Sequence, residues 1–280
     1  MKVTFNTAKS FHQQGCRDHQ EDARYPDADT AQSNAFVVCD GVGGQQDGEV
    51  ASAVVSATFG QLLSQLPADG VIDADTFSQL LAMTCDALEH APGSKQKATT
   101  LTLLAAHGAG VLMAHIGDSR IYQLRPGQGI VYQTEDHSLV QEMVRSGAIT
   151  AEKARNHPLG NVITRSMSGG SADRCPATVC FTSDVQPGDV FLLCTDGVVH
   201  QAPDELLEQL LLSDATDEEK CSRLAQLSAP SQDNNTAILV SVQTVADNDD
   251  QAPERSLCDI APAIQPDLVD KVKRFFRNIF

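Results

Sequence analysis

Residues 35–44 read AFVVCDGVGG, an apolar run that ends in a carboxylate and a glycine-rich step. The run AFVVC is typical of a buried β-strand, and it ends at once in Asp40 and Gly41. Residues 190–197 repeat the arrangement as VFLLCTDG, which places Asp196 directly after a second apolar run. A strand that ends in a carboxylate holds that carboxylate at the edge of a sheet. We therefore expect several strand ends, with their carboxylates, to meet at one edge.

Carboxylates gathered at strand ends predict a divalent metal site. Further acidic positions of this kind occur at Glu21-Asp22, Asp118 and Asp233. Their oxygens are hard ligands, which suit Mg²⁺ or Mn²⁺ rather than zinc. Taken alone, an Asp-Gly step after a strand is most often a turn, and an acidic pair is most often solvated. The ordered set is more specific than any member, and it predicts metal-assisted hydrolysis.

The bulk composition fits one large single-core domain or two small ones. The chain has 280 residues, of which 41% are hydrophobic and 20% charged, so a disordered protein is excluded. Its net charge of −17 argues against a nucleic-acid partner, because phosphate contacts need clustered Lys and Arg. A carboxylate-rich metal cleft would contribute to that charge, although solubility alone also accounts for it.

The eight cysteines include no C-x-x-C pair and no Cys–His cluster with zinc-ligand spacing. None lies in the C-x₅-R setting that the nucleophile of tyrosine phosphatases requires. The N-terminus has no signal-peptide pattern, and no apolar run is long enough for a membrane span. We therefore expect a protein of the reducing cytoplasm.

Strands and helices alternate along the chain, with hairpins at its centre. Turn residues such as Gly and Pro separate closely spaced apolar runs, which predicts antiparallel pairing. We expect strands within 2–10 and at 101–107, 110–116, 119–124, 129–132, 178–182, 190–194 and 237–242, and helices at 49–66, 76–89, 137–146, 151–155, 203–212 and 217–227. This pattern favours an antiparallel-rich α+β fold over a doubly wound parallel sheet.

The composition changes near residue 244. We expect a globular domain over 1–243, a linker rich in Asp, Ala and Pro over 244–265, and an amphipathic helix over 266–280. A helix with one apolar and one basic face docks on a protein, lies on an anionic membrane or folds back on its own domain. Its mixed charge favours a protein partner over a membrane.

Six motifs occur in a fixed order along the chain. They are RDHQED at 17–22, DGVGG at 40–44 followed by GE at 48–49, ATT at 98–100, GDSR at 117–120, TDG at 195–197 and DNNT at 233–236. In this order they resemble the metal-dependent serine/threonine protein phosphatases of the PPM, or type-2C, family in its bacterial form. The resemblance covers about residues 1–243.

This resemblance implies a four-layer α-β-β-α sandwich of two antiparallel sheets flanked by helices, within the α+β class. It also implies a binuclear Mn²⁺ or Mg²⁺ centre at one edge of the sandwich. In that centre Asp40 would bridge two metals, while Asp196 and Asp233 would complete the first. Glu21 and the backbone carbonyl of Gly41 would hold the second.

Two further acidic residues take roles by the same resemblance. Asp22 would orient metal-bound water from outside the metal ligands. Asp118, together with Asp196, would hold a third, weaker metal. We expect Thr99, Thr100, Ser119 and Asn234 to be supporting residues rather than catalysts.

Arg17 is the candidate phosphate clamp, since a guanidinium matches two phosphate oxygens at once. The alternative for Arg17 is a surface ion pair with Asp18 or Glu21. The general acid is open: position 42 is Val, where animal members carry a His. A metal-bound water would then protonate the leaving group; His19 and His137 are alternatives, and we expect each to be a loop histidine instead.

The segment at about 137–170 corresponds to the flap beside the active centre of bacterial members, although an ordinary surface insertion fits the sequence equally well. The sequence thus predicts a phosphatase that hydrolyses phosphoserine and phosphothreonine by a metal-bridged hydroxide. We expect it to act as a monomer on phosphorylated proteins and to oppose a bacterial Ser/Thr kinase. Two alternatives stay open: a regulatory phosphatase of an anti-sigma-type partner, and a catalytically silent phosphoprotein-binding module.

Overall fold

The computed structural model describes residues 1–28, 33–42, 46–67, 69–94, 97–154, 157–168, 175–246 and 254–263. Strand β4 (Ala35–Val42) shows why its sequence is continuously apolar. Phe36 and Val38 pack into one core, whereas Val37 and Cys39 pack into another on the opposite face. Because both faces of the strand are buried, apolar and polar residues do not alternate along it.

The first antiparallel sheet contains the N-terminal strands and the strand that precedes Asp196. Its members are β1 (Lys2–Phe5), β2 (Lys9–Gln13), β8 (Arg120–Arg125), β9 (Gly129–Gln133), β12 (Val190–Cys194) and β13 (Asn235–Ala246). They follow the order β1-β13-β12-β8-β9, and β2 pairs with the other end of β13. The N-terminal segment, predicted as one strand, therefore forms two.

The second antiparallel sheet contains β4 near its centre. The other members are β3 (Asp22–Tyr25), β5 (Ala98–Thr99), β6 (Leu101–His107), β7 (Gly110–Ile116), β10 (Met167–Ser168), β11 (Ala177–Thr182) and β14 (Arg255–Ile260). Their order is β10-β5-β4-β6-β7-β11-β14, with β3 paired to β4. Strands β6, β7 and β12 have the predicted bounds.

Helices cover the outer face of each sheet. Their bounds are α1 (Gln46–Ser64), α2 (Ala74–His90), α3 (Leu139–Arg145), α4 (Ala151–Ala154), α5 (Asp196–Val199), α6 (Asp204–Leu211) and α7 (Asp217–Ser228). Phe59 and Phe77 of α1 and α2 pack on the second sheet, and Leu207 and Leu224 of α6 and α7 on the first. A third core lies between the two sheets. The predicted four-layer α-β-β-α sandwich is confirmed.

The C-terminal part differs from the prediction. The linker expected over 244–265 is wrong in part, since β13 continues to Ala246 and β14 pairs with β11 along its whole length. Five of the six β14 residues are exposed, so the strand lacks the apolar alternation by which strands are recognised. The helix expected over 266–280 lies outside the described residues. Where the chain is described, no helix has the length and apolarity needed to cross a membrane.

The predicted flap leaves and rejoins the sandwich at neighbouring points. Ser138 forms a β-bridge with Ile163, and the carbonyl of His137 accepts a hydrogen bond from the Thr164 amide at 2.7 Å. Between these points lie α3 and α4. Positions 169–170, predicted as the end of the flap, lie outside the described residues.

Candidate metal centre

Two threonines at the end of β5, Thr99 and Thr100, hold the backbone of Asp40 by hydrogen bonds. Its amide donates to Thr100 Oγ1 at 2.9 Å, and its carbonyl accepts from the Thr100 amide and Thr99 Oγ1, both at 2.8 Å. Thr100 Oγ1 also lies 2.8 Å from Ser119 Oγ, beside Asp118. These residues act as the scaffold that the sequence predicted, because each holds a candidate ligand by its backbone or a neighbour.

Gly41 lies where a side chain has no room. A Cβ there would come within 2.4 Å of the Gly48 carbonyl oxygen and 2.7 Å of the Glu21 carbonyl oxygen, both backbone atoms. The Gly41 amide donates to that same Glu21 carbonyl at 3.0 Å. The close approach of these three segments explains the glycine and places the Gly41 backbone beside Glu21.

Glu21 and Asp22 form hydrogen bonds with residues next to β13 and β12 of the first sheet. The Glu21 amide donates to Asn234 Oδ1 at 2.8 Å, and Asn234 Nδ2 donates to the His19 carbonyl at 2.9 Å. Asp22 is 3% exposed, pairs in register with Asp40, and accepts a hydrogen bond from Thr195 Oγ1 at 3.0 Å. Asp22 therefore lies behind Asp40 and contacts the base of the site.

Thr195 brings the two C-terminal carboxylates to the same edge. Its amide donates to the Thr236 carbonyl, and its hydroxyl accepts from the Thr236 amide, both at 3.0 Å. These bonds join the end of β12 to the start of β13. As a result Asp196, which begins α5, and Asp233, which precedes β13, face one cleft.

The cleft has a volume of about 370 Å³ and is open to solvent. Seven of the eight predicted site residues line it: Arg17, Glu21, Asp40, Gly41, Asp118, Asp196 and Asp233. The eighth, Asp22, is buried beside Asp40, its partner in the pairing of β3 with β4. The arrangement brings together residues that are far apart in sequence, as the strand-end argument predicts.

Arg17 lies at the rim of the cleft with its side chain 54% exposed. Its Nη2 donates to Asp233 Oδ2 at 2.6 Å, so its ion pair is with a candidate ligand rather than with Asp18 or Glu21. The hydrogen bond that Arg17 donates to Asp233 raises the pKa of Arg17. The guanidinium is thereby held over the opening where a phosphate would enter.

Burial and mutual repulsion disfavour the charged forms of the cleft carboxyls. Burial, with the charge of Asp196 added, raises the pKa of Asp22 to about 8. Burial and the charges of Asp22 and Asp196 raise the pKa of Asp40 well above its ordinary value. Burial, again with Asp196, raises the pKa of Asp118 to about 7, and burial raises the pKa of Asp196 itself. Such a set gains stability from a nearby cation.

The donor set fits a divalent cation by its chemistry. Asp22 Oδ1 and Asp196 Oδ1 are buried and make no hydrogen bond among the described residues. In those same ranges, no three His, Cys, Asp or Glu side chains converge on one point as a finished coordination shell does. The fit therefore rests on the concentration of carboxylates beside a backbone carbonyl, which are the ligands that Mg²⁺ and Mn²⁺ prefer.

The flap contributes residues that the sequence did not single out. Asn161 and Ile163 line the cleft together with the carboxylates. His19, which the sequence did single out, also lines it. Asn161 and Ile163 belong to no ligand motif, and only the folding-back of the flap brings them here. His137 lies outside the cleft lining, and burial followed by the charge of His115 lowers its pKa to about 3.

Comparisons with known proteins agree with this geometry. Residues 13–237 match the family described as Protein phosphatase 2C. The serine/threonine protein phosphatase PstP of Mycobacterium tuberculosis is 32% identical over 232 residues, which are 81% of this chain and 43% of that protein. The serine/threonine phosphatase stp of Listeria innocua is 30% identical over 235 residues, which are 80% of this chain and 90% of that protein. This chain thus spans less than half of the length of the mycobacterial relative.

Solved structures show the same fold. The crystal structure of PstP/Ppp from Mycobacterium tuberculosis superposes with a TM-score of 0.73 and 28% identity, over 86% of this chain and all of that one. The PstP catalytic domain in complex with two manganese ions gives a TM-score of 0.70 and 27% identity, over 87% of this chain and 100% of that chain. The likeness therefore includes a protein that holds two manganese ions.

Proposed function

Because this chain belongs to the protein phosphatase 2C family, we propose that it is a metal-dependent phosphatase of phosphoserine and phosphothreonine in proteins. The observation that carries the proposal is the gathering of Asp40, Asp118 and Asp196 in one cleft, where each has a raised pKa. A half-buried set of carboxyls that repel one another suits cation binding rather than the formation of a packed core. The names of the bacterial relatives supply the class of reaction.

The cleft residues divide into two ligand groups for Mn²⁺ or Mg²⁺. Asp40 would contribute to both groups; Asp196 and Asp233 would complete one, and Glu21 with the Gly41 carbonyl would complete the other. Asp118, across from Asp196, is the candidate ligand of a third ion. When bound, the cations supply the positive charge that lowers the pKa of water and stabilises a phosphate under attack.

The chain's own residues position the substrate and the water. Arg17, now paired with Asp233, would bind the phosphate at the rim, since Asp233 as a cation ligand would leave the guanidinium available. Asp22 orients water from behind Asp40 and is itself held by the Thr195 hydroxyl. Asn161 and Ile163 of the flap contact the substrate chain from the opposite wall.

The substrates are phosphorylated proteins, and the partner reaction is that of a Ser/Thr kinase whose products this enzyme reverses. The eight cysteines are free, which supports a reducing compartment such as the cytoplasm. We also propose that segment 266–280 docks on a protein partner and that the protein acts as a monomer.

The test is phosphate release from a phosphothreonine peptide, with Mn²⁺ and then with EDTA. We expect turnover that requires Mn²⁺ and falls at least a hundredfold in Asp196→Asn, since a ligand carboxylate is lost. Asp214→Asn is the matched control, because Asp214 is exposed and does not line the cleft. Mn²⁺ titration by calorimetry gives a second readout that does not depend on turnover.

Two outcomes would count against the proposal. A folded sample that binds Mn²⁺ and phosphopeptide without releasing phosphate would favour a phosphoprotein-binding module. Equal activity of Asp196→Asn and the control would remove Asp196 from the ligand set.

A further inference from the structure

Strand β14 lies beyond the region that matches the family, which ends at residue 237. It forms an edge of the second sheet and pairs with β11 from Arg255 to Ile260. Ile260 is its one buried residue. Because apolar burial contributes little to holding this strand in place, its polar side chains are the features from which a role for the strand can be inferred.

Asp259 of β14 forms hydrogen bonds both with the neighbouring strand β11 and with the flap. Its Oδ1 accepts a hydrogen bond from Thr178 Oγ1 at 2.5 Å, and its Oδ2 accepts from Arg165 Nη2 at 3.1 Å. Arg165 lies two residues after Ile163, which lines the cleft. Asp259 thus ties the C-terminal strand to the end of the flap.

Thr178 also forms a hydrogen bond with His137. The His137 Nε2 lies 3.0 Å from Thr178 Oγ1, and the single proton of that hydroxyl is already donated to Asp259. Therefore Nε2 must carry the proton and donate it to Thr178. The other nitrogen, Nδ1, is then bare, and it accepts a hydrogen bond from the Gly117 amide at 3.2 Å. Asp259 and the Gly117 amide select the same tautomer from opposite ends.

His137 in turn fixes the turn that carries Asp118. Besides the ring contact, its own amide donates to the Gly117 carbonyl at 2.8 Å. Gly117 has a φ of +103°, which a side chain would strain, and the next residue is the candidate ligand Asp118. The chain of contacts runs from Asp259 through Thr178 and His137 to the base of the cleft.

We propose that Asp259 is a positioning residue. It holds the Gly117–Asp118 turn in place through Thr178 and His137, and it holds the end of the flap in place through its ion pair with Arg165. The proposal rests on the proposed phosphatase function. It makes the C-terminal strand a determinant of protein-substrate recognition, because the flap contacts the substrate chain while a small aryl phosphate reaches only the carboxylate cleft.

The kinetic test compares Asp259→Ala with the full-length wild type on two substrates. We expect KM for a phosphothreonine protein to rise about two- to fivefold, the range for a partly exposed charged contact. For p-nitrophenyl phosphate we expect KM to change less than twofold, while the Mn²⁺ concentration for half-maximal activity rises because the Gly117–Asp118 turn carries a candidate ligand. Ser256→Ala, an exposed position on the same strand, is the matched control, and Asp259→Glu should recover part of the loss.

A second measurement does not depend on turnover. Nitrogen-15 NMR of the histidine rings should show His137 as the Nε2–H tautomer in the wild type. In Asp259→Ala the Thr178 hydroxyl can donate to Nε2, and only the Gly117 amide still selects the Nε2–H form, so we expect a minor Nδ1–H population and faster hydrogen exchange of the Gly117 amide.

The proposal is overturned if Asp259→Ala keeps the wild-type KM and the wild-type His137 tautomer. It is also overturned if both substrates lose activity equally along with thermal stability, since that result would mean general destabilisation. If the wild type turns over neither substrate, the phosphatase function fails, while the NMR measurement still decides whether Asp259 positions the turn.

Discussion

Asp118→Asn should make the metal-free protein more stable. Asp118 lies in the turn between β7 and β8 and lines the cleft with Asp40 and Asp196. Burial and the charge of Asp196 raise its pKa from 3.8 to about 7. Above pH 7 the folded protein therefore holds a charge that is disfavoured in its surroundings, and asparagine removes that charge with little change in shape.

The size of the gain follows from the two pKa values. The stability associated with the Asp118 carboxyl is fully present below pH 3.8 and is lost as pH rises through about 7. At about 1.4 kcal/mol for each pH unit, the loss at pH 8 is about 4 kcal/mol as an upper bound. The side chain is only half-buried, so solvent and relaxation reduce the expected gain to roughly 1–2 kcal/mol.

The assay is urea unfolding in EDTA at pH 8 and at pH 5, with Asp214→Asn as the exposed control. We expect Asp118→Asn to exceed the wild type at pH 8, and its advantage to shrink to less than half at pH 5. Adding Mn²⁺ should stabilise the wild type more than the variant. A variant that is no more stable than the wild type at pH 8, or equally improved at both pH values, would refute the reasoning.

Two further substitutions test the site and the fold. In Gly41→Ala the new Cβ would lie 2.4 Å from the Gly48 carbonyl oxygen, so the backbone must shift, and we expect Mn²⁺ affinity measured by calorimetry to fall at least tenfold. In His107→Gln we expect a weaker loss of stability on acidification, because burial lowers the pKa of His107 to about 4. The wild-type stability linked to His107 is present above pH 6.5 and falls by up to about 3 kcal/mol toward pH 4. Urea unfolding at pH 7 and 4.5 measures the free energy of unfolding. An equal decrease between the two pH values in the wild type and in His107→Gln would contradict this prediction.

The parts of the fold that sequence predicted are those that bury both faces of a strand. β6, β7 and β12 have the expected bounds because every face of these apolar runs packs into a core. β14 was missed because it pairs through backbone bonds and polar side chains, with Ile260 alone buried. β3 was also missed, since Asp22–Tyr25 is only four residues long and mostly half-buried.

The candidate site was predictable where a ligand follows an apolar run, although β4 continues past Asp40 to Val42. Asp40 and Asp196 end apolar runs, so their meeting at one edge follows from sheet geometry. The ion pair of Arg17 with Asp233 was not predictable, because these residues are 216 positions apart and meet only through the loop before β13. The cleft wall formed by Asn161 and Ile163 likewise depends on how the flap folds back, for which their types give no signal.

The proposed phosphatase activity requires this carboxylate cleft to hold two divalent cations that drive phosphate hydrolysis. The most direct test is anomalous diffraction at the manganese edge from crystals grown with Mn²⁺. We expect two strong anomalous peaks about 3.5–4 Å apart, as in two-metal hydrolases, on either side of the Asp40 carboxylate. Peaks elsewhere on the protein, or a single peak that Asp40 does not contact, would contradict it.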